Sequence, residues 1–173
     1  MQKKSLLLVL LILLVLYTGL SYYLKIWPFT NNNIEEVPVG TEIGERAPDF
    51  SLDLINRKQL TLSELRGKIV FLNFWATWCP PCQAEMPDIQ KLHNEHENIS
   101  ILGINVQENK ATVSEYMMSN RYSFPVVLDN KGEVSRKYLV RGIPTTYILD
   151  ENGVIIARHI GPLSYEQMLD LIN

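Results

Sequence analysis

The amino-acid sequence predicts an α/β fold in which a central mixed sheet is flanked by helices. Two apolar runs, at residues 69–74 and 99–106, have the length and composition of buried strands, and a segment with helical periodicity follows each. Residues 145–149 and 154–160 are also strand-like, and the turn sequence Asp150-Glu151-Asn152-Gly153 between them is typical of a hairpin. Parallel strands linked by helices and followed by an antiparallel hairpin form a mixed sheet.

A short hairpin is predicted ahead of the central sheet. Residues 50–54 alternate between apolar and polar side chains like a half-buried strand, Asn56 and Arg57 form a turn, and residues 59–61 return as the partner strand. Residues 63–67 have a helix start and a glycine stop, which predicts one short helical turn. The chain therefore carries an N-terminal β-hairpin extension.

The remaining elements follow from periodicity. A helix is predicted after Cys82 as far as about Glu97, and Pro87 within it is expected to kink it. Further helices are predicted at residues 111–119, 133–138 and 164–172, and a further strand at residues 124–128.

Residues 1–25 differ in composition from the rest of the chain. Lys3 and Lys4 precede Leu6–Leu24, nineteen residues without a charge. Such a run is long enough to cross a bilayer, which takes about 20 residues. A cleaved signal peptide is the alternative, but its apolar core is usually about 7–15 residues long and ends in small residues. The end of this run is bulky and aromatic.

The sequence thus predicts a cytoplasmic N-terminus at residues 1–4, a transmembrane signal-anchor helix at residues 5–24, a polar linker at residues 25–41 and a folded domain at residues 42–173. The positive-inside bias of the first lysines places the domain outside the cytoplasmic membrane. Residues 1–25 hold three of the 16 basic side chains and no acidic one, which leaves 13 basic against 19 acidic side chains, a net charge of −6. This charge argues against nucleic acid as a partner.

The only two cysteines, Cys79 and Cys82, stand where the first central strand gives way to a helix. Free backbone N–H groups and the helix dipole favour a thiolate at the first cysteine, and the thiolate is the form that attacks disulfides. The two-residue spacing lets the second thiol resolve a mixed disulfide. Pro80 and Pro81 suit the first helical turn and stiffen the loop. Cys79 is therefore predicted as the attacking thiol and Cys82 as the resolving thiol.

Two other interpretations of the cysteines remain open. The pair could bind zinc together with His93 and His96, but in a continuous helix His93 would lie about 16 Å beyond Cys82. Zinc–ligand bonds of about 2.0–2.3 Å could not then converge. A purely structural disulfide would close a very small loop and would give no role to the flanking Trp75 and Trp78.

The wider pattern resembles a known family. Trp78-Cys79-Pro80-Pro81-Cys82 after an apolar strand, with Ile143-Pro144-Thr145 about sixty residues later, is similar to the thioredoxin-like superfamily. The sequences at residues 44–50 and 71–79 narrow the resemblance to the membrane-anchored bacterial thiol–disulfide oxidoreductases of the TlpA/ResA-like family. The resemblance covers roughly residues 42–173 and implies a thioredoxin-like fold.

The resemblance also implies roles for residues beyond the cysteines. Pro144 matches the family's cis-proline, which faces the cysteine pair and leaves the backbone of Ile143 free to pair with an extended substrate segment. Glu85 matches an acidic residue that shapes thiol reactivity and partner specificity, and a carboxylate near Cys79 would oppose ionisation of its thiol. The alternative for Glu85 is a solvated helix residue favoured by the dipole.

Glu108 and Trp78 complete the candidate site. Glu108 follows the strand at residues 99–106, at the edge from which parallel strands present functional groups, and the family has a glutamate nearby. An ordinary loop charge is the alternative. Trp78 is the candidate for client contact, whereas Trp75 is expected to pack the redox loop.

The predicted function is that of an enzyme, a thiol–disulfide oxidoreductase without a cofactor, since no haem, nucleotide or metal motif is visible. The resemblance implies reduction of disulfides in extracytoplasmic clients such as apocytochrome c or spore-envelope synthesis proteins. It also implies a membrane thiol-reducing protein as electron donor. The alternatives are a thiol oxidase that forms disulfides and a non-catalytic redox-sensing interaction module. A thiol peroxidase is disfavoured because no cysteine stands apart from the pair.

Overall fold

The computed structural model describes residues 2–26, 37–56 and 58–172. Helix α1, Gln2–Ile26, belongs to one unit, and a second, compact unit begins at Val37. Among the described residues, no helix is long and apolar enough to span a membrane. The predicted transmembrane role of residues 5–24 is therefore not confirmed by the structure, and residues 27–36 of the predicted linker lie outside the described residues.

The compact unit contains the predicted strands and helices with small shifts at their ends. Its strands are β1 (Ser51–Asp53), β2 (Gln59–Thr61), β3 (Ile69–Trp75), β4 (Ile99–Val106), β5 (Val126–Asp129), β6 (Thr145–Leu149) and β7 (Ile155–Ile160). Its helices are α2 (Pro80–Glu95), α3 (Lys110–Ser119), α4 (Glu133–Lys137) and α5 (Tyr165–Ile172), with a 3-10 turn at Leu62–Leu65. Strand β5 begins at Val126 rather than Phe124, because Pro125 has no N–H for the ladder.

Five of the described strands form the central sheet, in the order β5-β4-β3-β6-β7. Strand β3 pairs in parallel with β4, and β4 pairs in parallel with β5. On its other side β3 pairs antiparallel with β6, which forms a hairpin with β7. The predicted mixed sheet and thioredoxin-like arrangement are confirmed. The end of β3 is consequently central, with the end of β4 and the start of β6 beside it.

The predicted N-terminal hairpin is also present, since β1 and β2 pair antiparallel. Residues 37–41, which the sequence assigns to the linker, contact the domain: the N–H of Gly40 donates to the carbonyl of Arg46 at 3.0 Å, and Thr41 is buried. The sequence did not indicate this contact, because the hydrogen bond from Gly40 is made by the backbone.

The alternation of side chains along β3 builds two layers of core. Phe71 and Trp75 face the layer that contains α2, whereas Leu72 and Phe74 face the opposite layer, which contains Tyr138. Because β3 is covered on both faces, the loop that follows Trp75 starts from a buried and well-fixed point.

Candidate active site

Cys79 occupies the N-cap of α2, with β-type backbone angles of φ −93° and ψ 106°. Pro80 and Pro81 fill the first two helical positions and have no N–H, so the first backbone donor of the helix is that of Cys82. Its N–H donates to Sγ of Cys79 over 3.2 Å. When the disulfide is reduced, this donor and the helix dipole favour a thiolate at Cys79.

The two cysteines form a disulfide in this structure, with their Cα atoms 5.2 Å apart. Cys79 is 3% exposed and Cys82 is fully buried. The surroundings of the two cysteines differ in the same way. Trp78 and Pro80, beside Cys79, are exposed, whereas Glu85 and Met86, one turn beyond Cys82, are buried. Cys79 therefore lies nearer to the surface than Cys82.

The loop before β6 lies directly against the disulfide. The peptide bond between Ile143 and Pro144 is cis, as the resemblance implied. The carbonyl oxygen of Ile143 lies 3.6 Å from Sγ of Cys79. Pro144 is buried and Ile143 is half-buried, so Ile143 presents part of its side chain and its backbone beside the reactive sulfur. The structure thus brings together Cys79, Cys82, Ile143 and Pro144.

Glu108 fixes the loop that connects β3 to the redox helix. Its carboxylate accepts a hydrogen bond from the backbone N–H of Thr77 at 2.7 Å and another from the hydroxyl of the same residue. The side-chain amide of Asn105 donates to it at 2.7 Å. On the opposite side, Nε2 of Gln83 donates to the carbonyl of Thr77 at 2.6 Å. Glu108 is therefore more than a loop charge, since it holds the backbone two residues before Cys79.

Glu85 is buried, with 2% of its surface exposed, so its interpretation as a solvated helix residue is wrong. Its two carboxylate oxygens accept hydrogen bonds from Nδ2 of Asn73 at 2.8 Å and from the N–H of Leu163 at 3.1 Å. Burial raises the pKa of Glu85 to about 7, and the two hydrogen bonds counteract that rise. This carboxyl group can gain or lose a proton near neutral pH, three residues beyond Cys82 in α2.

Asn73 is a site residue that the sequence analysis missed. It lies in the middle of β3 and is buried, and its Nδ2 also donates to Oγ1 of Thr146 at 3.1 Å, which ties α2 to β6 through Glu85. Its Oδ1 has no hydrogen-bond partner among the described residues. A single polar residue in the apolar run at residues 69–75 was the available signal.

The two tryptophans that flank the redox loop, Trp75 and Trp78, differ in solvent exposure. Trp75 is 1% exposed and packs in the core, with its ring 5.6 Å from that of Tyr116, whereas Trp78 is 66% exposed next to the disulfide. Trp75 is thus a core residue, whereas Trp78 presents its ring to solvent.

The histidines of the alternative zinc set lie at the other end of the sheet. His93 and His96 line a cavity together with Ile99, the first residue of β4, whereas Cys79 follows the last residue of β3. Among the described residues, no group of three or more His, Cys, Asp and Glu side chains is arranged to hold a metal ion.

The chain is similar to known thioredoxin-like proteins. The model of the AhpC/TSA family matches residues 43–158. The thioredoxin-like protein YneN of Bacillus subtilis is 39% identical over 178 residues, which cover 99% of each chain. The thiol-disulfide oxidoreductase ResA of Bacillus subtilis is 37% identical over 164 residues, 94% of this chain and 88% of that protein. The crystal structure of StoA from Bacillus subtilis superposes with a TM-score of 0.64 at 30% identity, over 72% of this chain and 96% of that one.

Proposed function

The chain belongs to the AhpC/TSA family and is a thioredoxin-like thiol–disulfide oxidoreductase, and on that premise we propose that Cys79 and Cys82 carry its reaction in the reducing direction. The observation that supports the assignment of the cysteine pair is the position of the Cys79 sulfur. It lies 3.2 Å from the backbone nitrogen of Cys82 and 3.6 Å from the carbonyl oxygen of Ile143, and the exposed Trp78 precedes Cys79 in the chain.

The reaction begins with both cysteines reduced. The thiolate of Cys79 attacks one sulfur of a client disulfide, a mixed disulfide forms, and the other client sulfur leaves as a thiolate that takes up a proton. Cys82 then loses its proton, and its thiolate attacks Sγ of Cys79, which reforms the disulfide seen here and expels the first client sulfur as a thiolate that takes up a proton. Two electrons and two protons pass to the client, and a dithiol donor must reduce the pair again.

The supporting residues act on this exchange without forming bonds to the client sulfur. Glu108 holds the loop through Thr77, and the buried carboxyl of Glu85 lies three residues beyond the resolving cysteine. Ile143 and Pro144 provide the backbone edge along which an extended client segment lies. Trp78 provides an apolar surface for the same segment.

The reducing direction and the client class rest on the family resemblance of the sequence. Clients are disulfide-containing extracytoplasmic proteins of the apocytochrome c or spore-envelope synthesis type, and the donor is a membrane thiol-reducing protein. The relatives named as thiol-disulfide oxidoreductases support the reaction type. Thiol oxidation and a pure sensing role remain the alternative functions, and both use the same cysteine pair.

Residues 5–24 are proposed as the membrane anchor that holds the domain on the extracytoplasmic side. The uncharged run Leu6–Leu24, preceded by Lys3 and Lys4, supports this assignment. A membrane-impermeant maleimide added to intact, thiol-reduced cells should label the full chain at Cys79. Labelling that requires cell lysis would contradict the extracytoplasmic placement.

The roles of the cysteines are tested by trapping. In the Cys82→Ser variant of the full chain the mixed disulfide cannot be resolved, so client proteins should accumulate as adducts that dithiothreitol releases. The matched Cys79→Ser variant should form no such adducts and should lose disulfide reduction. A Cys79→Ser protein that still reduces client disulfides at the wild-type rate would overturn the proposal.

A further inference from the structure

A groove of about 290 Å³ lies beside the disulfide. We call it the arginine groove and define it by Trp78, Gln107, Gly132, Arg136, Arg141 and Ile143. Trp78 is the residue before Cys79, and the carbonyl of Ile143 is 3.6 Å from the Cys79 sulfur, so two residues that line the groove adjoin the reactive cysteine. A client segment joined to Cys79 has its neighbouring residues at this groove.

The charge of the arginine groove is opposite to that of the domain. Arg136 and Arg141 are exposed, and none of the described residues that line the groove is an aspartate or a glutamate. Neither arginine takes part in an ion pair within the described part of the chain. The chain beyond Lys25 carries a net charge of −6. The groove is therefore a local positive site on an acidic body.

Arg136 is held in place while most of its donors stay available. Its Nη1 donates to the carbonyl of Lys131 at 2.9 Å, which fixes the guanidinium at the start of α4. A guanidinium has five N–H donors, so the others can serve a ligand. A carboxylate is the group that this planar fork of donors fits best.

Gln107 adds a second polar group at the same place. Its backbone adopts a left-handed conformation with φ 58°, which a non-glycine residue rarely adopts and which has an energetic cost. A Cβ atom at Gly132 would lie 3.1 Å from Nε2 of Gln107 and 3.2 Å from Nη1 of Arg136. The absence of a side chain at Gly132 thus leaves room for a carboxamide and a guanidinium to converge.

We propose that the arginine groove binds an aspartate or glutamate side chain that lies next to the disulfide cysteine of the client. This inference rests on the proposed function, because it assigns the class of client segment that the same redox site accepts. The guanidinium groups of Arg136 and Arg141 and the amide of Gln107 donate to the client carboxylate, and Trp78 packs against the adjacent apolar surface. An acidic domain repels most acidic surfaces, so the groove selects segments whose carboxylate reaches this one position.

Two disulfide-bridged peptides provide the test, identical except for aspartate or asparagine beside the cysteine. The pre-reduced full chain is mixed with each peptide at low salt, and the second-order rate constant of peptide reduction is measured. Each exposed ion pair changes such a constant by a factor of up to about five, so we expect the aspartate peptide to react about three- to tenfold faster. The preference should fall at 0.5 M salt because the pairing charges are exposed.

Variants identify the groove as the cause of the preference. In Arg136→Gln/Arg141→Gln the ratio of the two rate constants should fall to about one. The double variant Arg66→Gln/Lys68→Gln also removes two positive charges, but ahead of β3 at the opposite end from the cysteines, and it should keep the wild-type ratio. In Arg141→Glu, a third peptide with lysine beside the cysteine should be reduced with a larger rate constant than the aspartate peptide.

The outcomes separate this inference from the proposed function. Equal rates for the aspartate and asparagine peptides in the wild-type protein, with peptide reduction intact, would overturn the groove proposal and leave the redox function standing. An equal loss of the preference in both double variants would also overturn it, because net charge would then be the cause. Failure of the wild-type protein to reduce any peptide would instead contradict the proposed function.

Discussion

Oε2 of Glu108 lies 2.7 Å from the backbone nitrogen of Thr77, which ties the end of β4 to the loop that carries Cys79. The two residues are 31 positions apart in the sequence. Three hydrogen bonds converge on this one carboxylate, and the carbonyl of Thr77 is held from its other side by Gln83. The Cys79 sulfur therefore takes its position from a clamped loop as well as from the helix.

Replacing Glu108 should loosen this clamp. In Glu108→Gln the amide cannot accept all three hydrogen bonds, so kcat/KM for disulfide reduction should fall about tenfold through misplacement of the attacking sulfur. The free energy of unfolding should fall by only about 1–2 kcal/mol. The exposed Glu97 provides a matched control, and Glu97→Gln should change neither quantity. Equal kinetics of the two variants would contradict the positioning role.

The buried carboxyl of Glu85 should make stability depend on pH. Burial raises its pKa from an ordinary value of 4.5 to about 7, so the folded protein keeps a proton that the unfolded chain releases between these values. The stabilisation is therefore complete below about pH 4.5 and is lost as the pH rises towards 7.

The loss should amount to roughly 3 kcal/mol, since one pKa unit corresponds to about 1.4 kcal/mol. Urea unfolding of the oxidised protein at a series of pH values measures it, with Glu85→Gln as the reference that cannot titrate. The difference between the two proteins should change across this window. Parallel stability curves from pH 4.5 to 8 would show that Glu85 does not titrate there.

The absence of a side chain at Gly103 leaves room for the indole ring of Trp75. A Cβ atom at this position would lie 2.9 Å from Nε1 of Trp75, 3.2 Å from the ring of Phe124 and 3.3 Å from Val126. Gly103→Ala should therefore destabilise the fold by about 1–3 kcal/mol, as overpacking in a core does. In contrast, a Cβ atom at Gly142 meets nothing within 4 Å, so thermal unfolding of Gly142→Ala should match the wild type. Identical melting of both variants would be inconsistent with the tight contact at Trp75.

The two tryptophans should respond oppositely to truncation. Trp75→Ala removes a buried core side chain and should lower the free energy of unfolding by about 3–5 kcal/mol. Trp78→Ala removes an exposed ring and should change stability by less than about 0.5 kcal/mol. Its effect should appear in client reduction, as a kcat/KM lowered about tenfold by lost contact surface. Unchanged client kinetics in Trp78→Ala would remove that residue from the client site.

The sequence was sufficient for the elements that carry strong patterns. The apolar runs of β3 and β4 require strands that are buried on both faces of the sheet, and both strands occur as predicted. The cysteine pair was placed by its position between a strand and a helix, and the cis bond before Pro144 was implied by the resemblance.

Contacts between distant residues could not be derived in the same way. Asn73 reaches Glu85 and Thr146, and Glu108 reaches Thr77, because the order of the strands brings β3, β4 and β6 side by side. Periodicity indicates which face of an element is buried but does not identify the partner. For the same reason Glu85 could not be assigned to the interior from its place in the first turns of α2.

The reduction potential of the Cys79–Cys82 pair tests the central claim most directly. The full chain is equilibrated with dithiothreitol or glutathione buffers, and the fraction of the pair in the disulfide form is measured. A reductase that is recharged by a dithiol donor should have a potential near that of thioredoxin, about −270 mV. A value near about −120 mV, as in a strongly oxidising protein, would contradict the reducing function and identify the protein as a thiol oxidase.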